Sequence, residues 1–164
     1  MNKQPMIMVD TREQKSGHAE SYFEAQGIKF ARTKLFVGDY MLLDNPRFVI
    51  DRKRNLSEWS GCLFASRRRF YDEVRRARDA GITLAILIEH SAQIKSIEDI
   101  ATWNNPLLKK VPNAVTGRAL REATYHLHIA YGVPVYFCDK RHTGQEIVRI
   151  LTEASEKGRD VPCP

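Results

Sequence analysis

Two short apolar runs constrain this chain more than any other stretch: Phe36-Val37-Gly38-Asp39-Tyr40-Met41-Leu42-Leu43 and Phe48-Val49-Ile50-Asp51-Arg52-Lys53. Both are of strand type, and turn-forming residues, Asp44-Asn45-Pro46-Arg47, lie between them. The spacing predicts an antiparallel hairpin centred on Asn45, with Asp39 opposite Asp51. Directly opposed residues have Cβ atoms roughly 5 Å apart. Lys53 shares their face, because side chains alternate along a strand. That face otherwise carries Val37, Met41, Leu43 and Val49, and the other carries Phe36, Tyr40, Leu42, Phe48 and Ile50. Apolar residues on both sides predict a hairpin inside a sheet covered on both faces. Two carboxylates and an ammonium then interrupt one buried face. Like charges roughly 5 Å apart repel by a few kcal/mol at an effective dielectric near 20, and a divalent cation between them is the simplest relief. An exposed hairpin end with solvated charges is the alternative, which the pattern alone leaves open.

The rest of the chain alternates strands and helices. Met6 to Val9 is a strand ending at Asp10-Thr11-Arg12-Glu13, and the ends of such strands are where open α/β sheets place ligands. A capping aspartate with a solvated Arg–Glu pair explains that cluster equally well. A helix capped by Ser16 runs to Gly27, and a second strand spans Ile28 to Leu35. A helical region after Lys53 breaks near Ala65. Its outward side bears Arg67, Arg68, Arg69, Arg75, Arg76 and Arg78, a patch suited to phosphate, although such a run also serves as a solvated face. Ile82 to Ile88 reads as a central buried strand ending at Glu89. Then come a short helix (Ser96 to Thr102), a helix from Thr116 to Tyr131, a last strand (Val133 to Cys138) and an amphipathic helix from Thr143 to Glu156. The class is α/β, with residues 1–158 as a single domain and 159–164 as a flexible tail.

No apolar run approaches the ~20 residues of a membrane span, and no signal-peptide pattern opens the chain. Cys62, Cys138 and Cys163 are widely spaced and odd in number, which favours a reducing interior, cytoplasmic or, in a eukaryote, nuclear. The net charge of +6 is permissive for nucleic acid.

Val9-Asp10-Thr11-Arg12-Glu13, Val37-Gly38-Asp39-Tyr40 and Ile50-Asp51-Arg52-Lys53 resemble, in order, the three signatures of the XPF-type nuclease domain of the PD-(D/E)XK superfamily. Arg69-Phe70-Tyr71, Leu87-Ile88-Glu89 and Ala130 to Val135 extend the resemblance over Ile7 to Phe137. It implies a restriction-endonuclease-like mixed central sheet flanked by helices on both faces. It also implies a Mg²⁺- or Mn²⁺-dependent DNA endonuclease of repair or recombination type, possessing a nuclease domain without helix-hairpin-helix motifs. Asp39, Asp51 and the backbone carbonyl of Arg52 are then the metal ligands, and Lys53 orients the attacking water. Asp10 and Glu13 belong to the same acidic cluster, as catalytic residues and further ligands. Arg12, Arg52, Arg67, Arg68, Arg69, Arg75 and Arg76 are the DNA contacts.

Some positions depart from the family pattern. Asp51 replaces the usual glutamate, and Ser57 stands where an outer aspartate is expected, with Glu58 beside it. Selectivity for branched, flap or junction DNA is not carried over without the helix-hairpin-helix motifs. A noncatalytic DNA-binding or dimerisation subunit is the alternative function. A homodimer through the apolar stripes of the two C-terminal helices is one partner arrangement, and a separate DNA-binding module is another. The same stripes serve equally well as the chain's own core.

Overall fold

The computed structural model describes residues 5–159. The terminal residues, including most of the expected tail, lie outside the described part. The strands are β1 (Met6–Asp10), β2 (Lys29–Thr33), β3 (Tyr40–Leu42), β4 (Asn45–Lys53), β5 (Thr83–His90) and β6 (Val135–Asp139). The helices are α1 (Gly17–Ala25), α2 (Leu56–Leu63), α3 (Arg67–Asp79), α4 (Gly117–Tyr131) and α5 (Thr143–Arg159). The strands form one mixed six-stranded sheet in the order β2-β1-β3-β4-β5-β6. Only β3 runs against its neighbours, pairing antiparallel with both β1 and β4.

Alternation along the central strands sorts the core into two halves. Val49, Leu84, Ile86 and Ile88 point toward α2, α3 and α4, where Trp59, Phe70, Val74, Leu120 and Leu127 meet them. Val9, Tyr40, Ile50 and Leu87 point the other way, onto Phe23 of α1 and Ile147, Ile150 and Leu151 of α5. The stripes of α4 and α5 therefore face the chain's own sheet. Leu120, Leu127 and Ile147 have no accessible surface, so these residues cannot form the dimer surface considered from the sequence.

The hairpin keeps the predicted register near the charged residues. Tyr40 pairs with Ile50 and Met41 with Val49, which sets Asp39 across from Asp51. The turn itself differs. Leu42 pairs with Asn45, so Leu43 and Asp44 make the connection, and a register shift absorbs Pro46 to Phe48. Proline has no N–H for a ladder, and a bulge is where a sheet tolerates it. Leu43 on the turn and Phe36, which precedes β3, are 49% and 63% exposed rather than buried. The strand alternation used to place them does not reach that far. Ser16 sits at the start of α1 but makes no capping bond. Its hydroxyl instead accepts from Arg32 and donates to Glu20.

Candidate active site

Gly38 turns the chain into β3. It has φ +66°, and a Cβ there would lie 2.5 Å from Val49 Cγ1 and 3.1 Å from the Ile50 carbonyl oxygen. Only glycine offers both the conformation and the clearance. The turn presses the next residue, Asp39, against β4. The Asp39 amide donates to Ile50 O at 2.8 Å, and its carboxylate Oδ2 accepts from the Arg52 amide at 2.7 Å. Asp39 is therefore held at both backbone and side chain. Burial, followed by the charges of Asp51 and Glu13, pushes its carboxyl well above the ordinary aspartate range.

Asp51 and Lys53 project from β4 on the same side. Lys53 Nζ lies 2.8 Å from Asp51 Oδ1 and 5.7 Å from the centre of the Phe70 ring. Burial alone would lower the ammonium's pKa, but Asp51, Cys62 and Asp39 outweigh it and raise it well above the ordinary lysine value. Lys53 is thus a fixed cation.

These three residues form the floor of a cleft of about 750 Å³, which Asp10, Arg12, Gly38, Ala65, Ser66, Arg68, Arg69, Asp72, Glu73 and Arg76 complete. A smaller adjoining hollow of about 260 Å³ shares Asp39, Asp51 and Lys53 and adds Glu13, Arg54 and Glu58. The expected phosphate contacts divide accordingly. Arg12, Arg68, Arg69 and Arg76 line the main cleft. Arg67 instead lies over the Tyr71 ring at 5.4 Å, and Arg75 pairs with Asp72.

Arg52 departs from expectation. Between Asp51 and Lys53, alternation sends its side chain through to the opposite face of the sheet, where 1% of it is exposed. There Nη2 donates to Glu13 at 2.6 Å and Nη1 to Glu89 at 3.0 Å. Glu89 also meets His18 Nε2 at 2.8 Å and accepts from the Thr143 hydroxyl at 2.7 Å. The guanidinium therefore ties β4 to the β1–α1 loop and to β5, and is not placed to contact phosphate.

Asp10 is similarly committed. Its carboxylate accepts from the Arg12 amide, from Arg12 Nε and Nη2, and from the Leu35 amide, all at 2.6–2.9 Å. Burial raises its carboxyl, but these hydrogen bonds prevail and hold it below the ordinary value of 3.8. Among the described residues, no three Asp, Glu, His or Cys side chains come together to hold an ion. Of the four carboxylates expected as ligands, Asp39 and Asp51 lie across from each other on the hairpin, Asp10 is engaged by Arg12 and the Leu35 amide, and Glu13 is engaged by Arg52.

Glu58, the candidate for the missing outer acid, borders the smaller hollow beside Lys53. Its Oε2 accepts from the Arg54 amide and Nε at 2.9 and 3.0 Å. Two cleft residues went unassigned in the sequence: Asp72, and Glu73, which accepts from the Gly38 amide at 3.3 Å. Their i+3 and i+4 spacing from Arg69, itself singled out, was the available signal.

No curated protein matches the sequence. The fold is similar to that of XPF from Aeropyrum pernix, with a TM-score of 0.66 and 22% identity over 95% of this chain and 68% of that one. XPF from Aeropyrum pernix in complex with DNA superposes with a TM-score of 0.65 and 24% identity, over 96% of this chain and 68% of that one. A family model described as the ERCC4 domain matches residues 9–151, which spans every element from β1 into α5 that builds the cleft. The chain belongs to the ERCC4 domain family, a nuclease-type domain.

Proposed function

We propose that this chain is a divalent-metal-dependent DNA endonuclease that hydrolyses phosphodiester bonds on the floor of the main cleft. The observation that carries this reading is the convergence of Asp39, Asp51 and Lys53 from two neighbouring strands. The donor set fits a hard cation, since Mg²⁺ and Mn²⁺ favour carboxylate, carbonyl and water oxygens. The upward push on the Asp39 carboxyl fits as well, because a cation between the two aspartates offsets the burial, and after it the Asp51 and Glu13 charges, that raise it. The cleft also carries as many acidic as basic side chains, five of each, and two of the acids, Asp39 and Asp51, lie across from each other on the hairpin. A phosphodiester approaches that floor only if its charge is neutralised.

Asp39, Asp51 and the Arg52 carbonyl would hold the ion, which when bound supplies charge neutralisation and an acidified water. The Arg52 amide fixes the rotamer of Asp39. Lys53 is paired with the Asp51 carboxylate, which favours its ammonium form. It donates hydrogen bonds to the charge that builds on the phosphate oxygens as the attacked centre expands, and it is already in place before reaction. Arg12, Arg68, Arg69 and Arg76 border the floor and supply contacts for the flanking phosphates. That the same fold carries DNA in the Aeropyrum complex supports DNA as the polymer.

The test is cleavage of single-stranded, duplex, flap and four-way DNA with and without Mg²⁺ or Mn²⁺. The expected result is metal-dependent cutting that Asp39→Asn or Lys53→Ala abolishes while DNA affinity stays within a few-fold. Unchanged cutting in either variant removes the mechanism. Metal-independent DNA binding with no cutting by the wild type favours the noncatalytic subunit.

A further inference from the structure

Arg52 acts on both faces of the sheet. Its backbone serves the cleft, where the amide donates to Asp39 Oδ2 at 2.7 Å. Its side chain lies on the opposite face and is 1% exposed. The sheet itself makes the first role depend on the second. On the β5 side the β4 ladder runs to the end of the strand, with Arg52 beside Leu87 and Lys53 beside Ile88. On the β3 side the ladder stops at Tyr40 and Ile50, followed by the Asp39 amide bond to Ile50 O. Beyond that point the Arg52 amide meets a carboxylate where a strand would stand. An amide positions a carboxylate only as firmly as its own strand is held, so the hold on Asp39 depends on what restrains β4 at Arg52.

Glu89 is the centre of that restraint. It stands near the end of β5 and is 4% exposed. Its Oε2 accepts from Arg52 Nη1 at 3.0 Å and from the Thr143 hydroxyl at 2.7 Å, and it lies 2.8 Å from His18 Nε2. Thr143 opens α5 and is fully buried, and His18 lies in the first turn of α1. The two helices touch closely there: a Cβ on Gly144 would lie 2.6 Å from Tyr22 Cβ. Glu89 is thus anchored by two packed helices as it receives Arg52. The rest of the guanidinium is held differently. Nη2 donates to Glu13 at 2.6 Å and to the carbonyls of Gln14 and Lys15 at 3.2 and 3.4 Å, all in the β1–α1 loop. Nε finds no partner among the described residues. Without Glu89 the guanidinium is attached to a loop, and β4 loses its side-chain tie to the packed back face. Glu89 lines neither hollow of the cleft, so its influence there passes through Arg52.

We propose that Glu89 is a positioning residue for the cleft on the far side of the sheet. Anchored by His18 and Thr143, it holds the Arg52 guanidinium so that the Arg52 amide keeps the Asp39 carboxylate in place across from Asp51. The consequence for metal binding and cutting rests on the nuclease reading, and the consequence for the bond between Asp39 and the Arg52 amide does not.

The experiment uses the full chain, labelled with ¹⁵N. A hydrogen bond to a carboxylate is short and strong, and it draws the amide proton resonance downfield. In Glu89→Gln the Arg52 amide resonance should move upfield. The Mn²⁺ concentration for half-saturation, read from the EPR signal of free Mn²⁺, should rise roughly tenfold, the lower end of what losing a group behind a metal ligand costs. Duplex DNA binding in EDTA should stay within twofold. Glu89→Asp keeps the charge but is one methylene shorter, and should give the same changes to a smaller extent. Leu151→Ala, in the same half of the core, should lower Tm but leave both readings at wild type. Adding Glu89→Gln to Arg52→Met should cost no further Mn²⁺ affinity, since the guanidinium that Glu89 acts through is gone. An unmoved Arg52 resonance or unchanged Mn²⁺ affinity in the folded Glu89 variants, equal changes in Leu151→Ala, or a further loss in the double variant overturns the proposal. If the resonance moves as expected but the wild type binds no Mn²⁺ and cuts no DNA, the nuclease reading fails and the positioning role stands.

Discussion

Replacing Arg52 with methionine separates two roles for this residue, a phosphate contact and a buried ion-pair bridge. If Arg52 contacted phosphate, the variant would fold normally and bind DNA with a salt slope reduced by about one. The structure assigns it a different part. Its guanidinium bridges Glu13 at 2.6 Å and Glu89 at 3.0 Å, and their side chains are 8% and 5% exposed. Methionine fills a similar volume but leaves two carboxylates without their cation. Removing one partner of a buried ion pair costs about 3–5 kcal/mol. For a domain of this size each kcal/mol lowers Tm by about 2–4 °C, so the midpoint should fall by roughly 10 °C. Arg52→Lys should fall between the two, because a single ammonium cannot fork toward both glutamates. Adding Glu13→Gln and Glu89→Gln to Arg52→Met should recover part of the loss. The assay is thermal unfolding by circular dichroism, with DNA affinity measured against salt at a temperature where both proteins are folded. A Tm within about 2 °C of wild type together with a lower salt slope would refute the reasoning.

Gly38→Ala should destabilise the fold by about 2–4 kcal/mol, from the left-handed backbone and the overlap with Val49. In a double-mutant cycle by urea unfolding, Val49→Ala should offset part of that loss, since Val49 Cγ1 is the nearest obstacle. The hydrogen-bonded Asp10 carboxylate has a lowered pKa, so its stabilisation is complete above about pH 4 and is lost as the pH falls through its folded value. The Tm gap between wild type and Asp10→Asn should therefore be widest at pH 5 and close toward pH 2. Arg69→Gln and Arg76→Gln should each lower the salt slope of DNA binding by about one. Arg75→Gln should lower it by less, because Arg75 is already paired with Asp72.

The register that sets Asp39 against Asp51 was legible from local pattern. It follows from two apolar runs of strand length and from a period of 2, and neither depends on what covers the sheet. The same alternation carried the information that Arg52 faces away from Asp51 and Lys53. Its partner Glu89 could not be foreseen there, being 37 residues distant in sequence. The break between α2 and α3, the buried β5 and the arginine-rich face of α3 were likewise visible as patterns. The exposure of Phe36 was not, because its segment leaves the sheet and periodicity says nothing about a loop.

What the sequence determined by itself is the set of charged groups on one face of one hairpin, since strand geometry converts spacing directly into facing. What only the tertiary structure decided is how each of those charges is used. Asp10 and Glu13 were drawn to Arg12 and Arg52, Asp51 to Lys53, and Asp39 was left to accept from the Arg52 amide. That choice is a competition among buried charges, each of which takes the nearest opposite partner once water is removed. The nearest partner is known only when distant strands and helices have been packed.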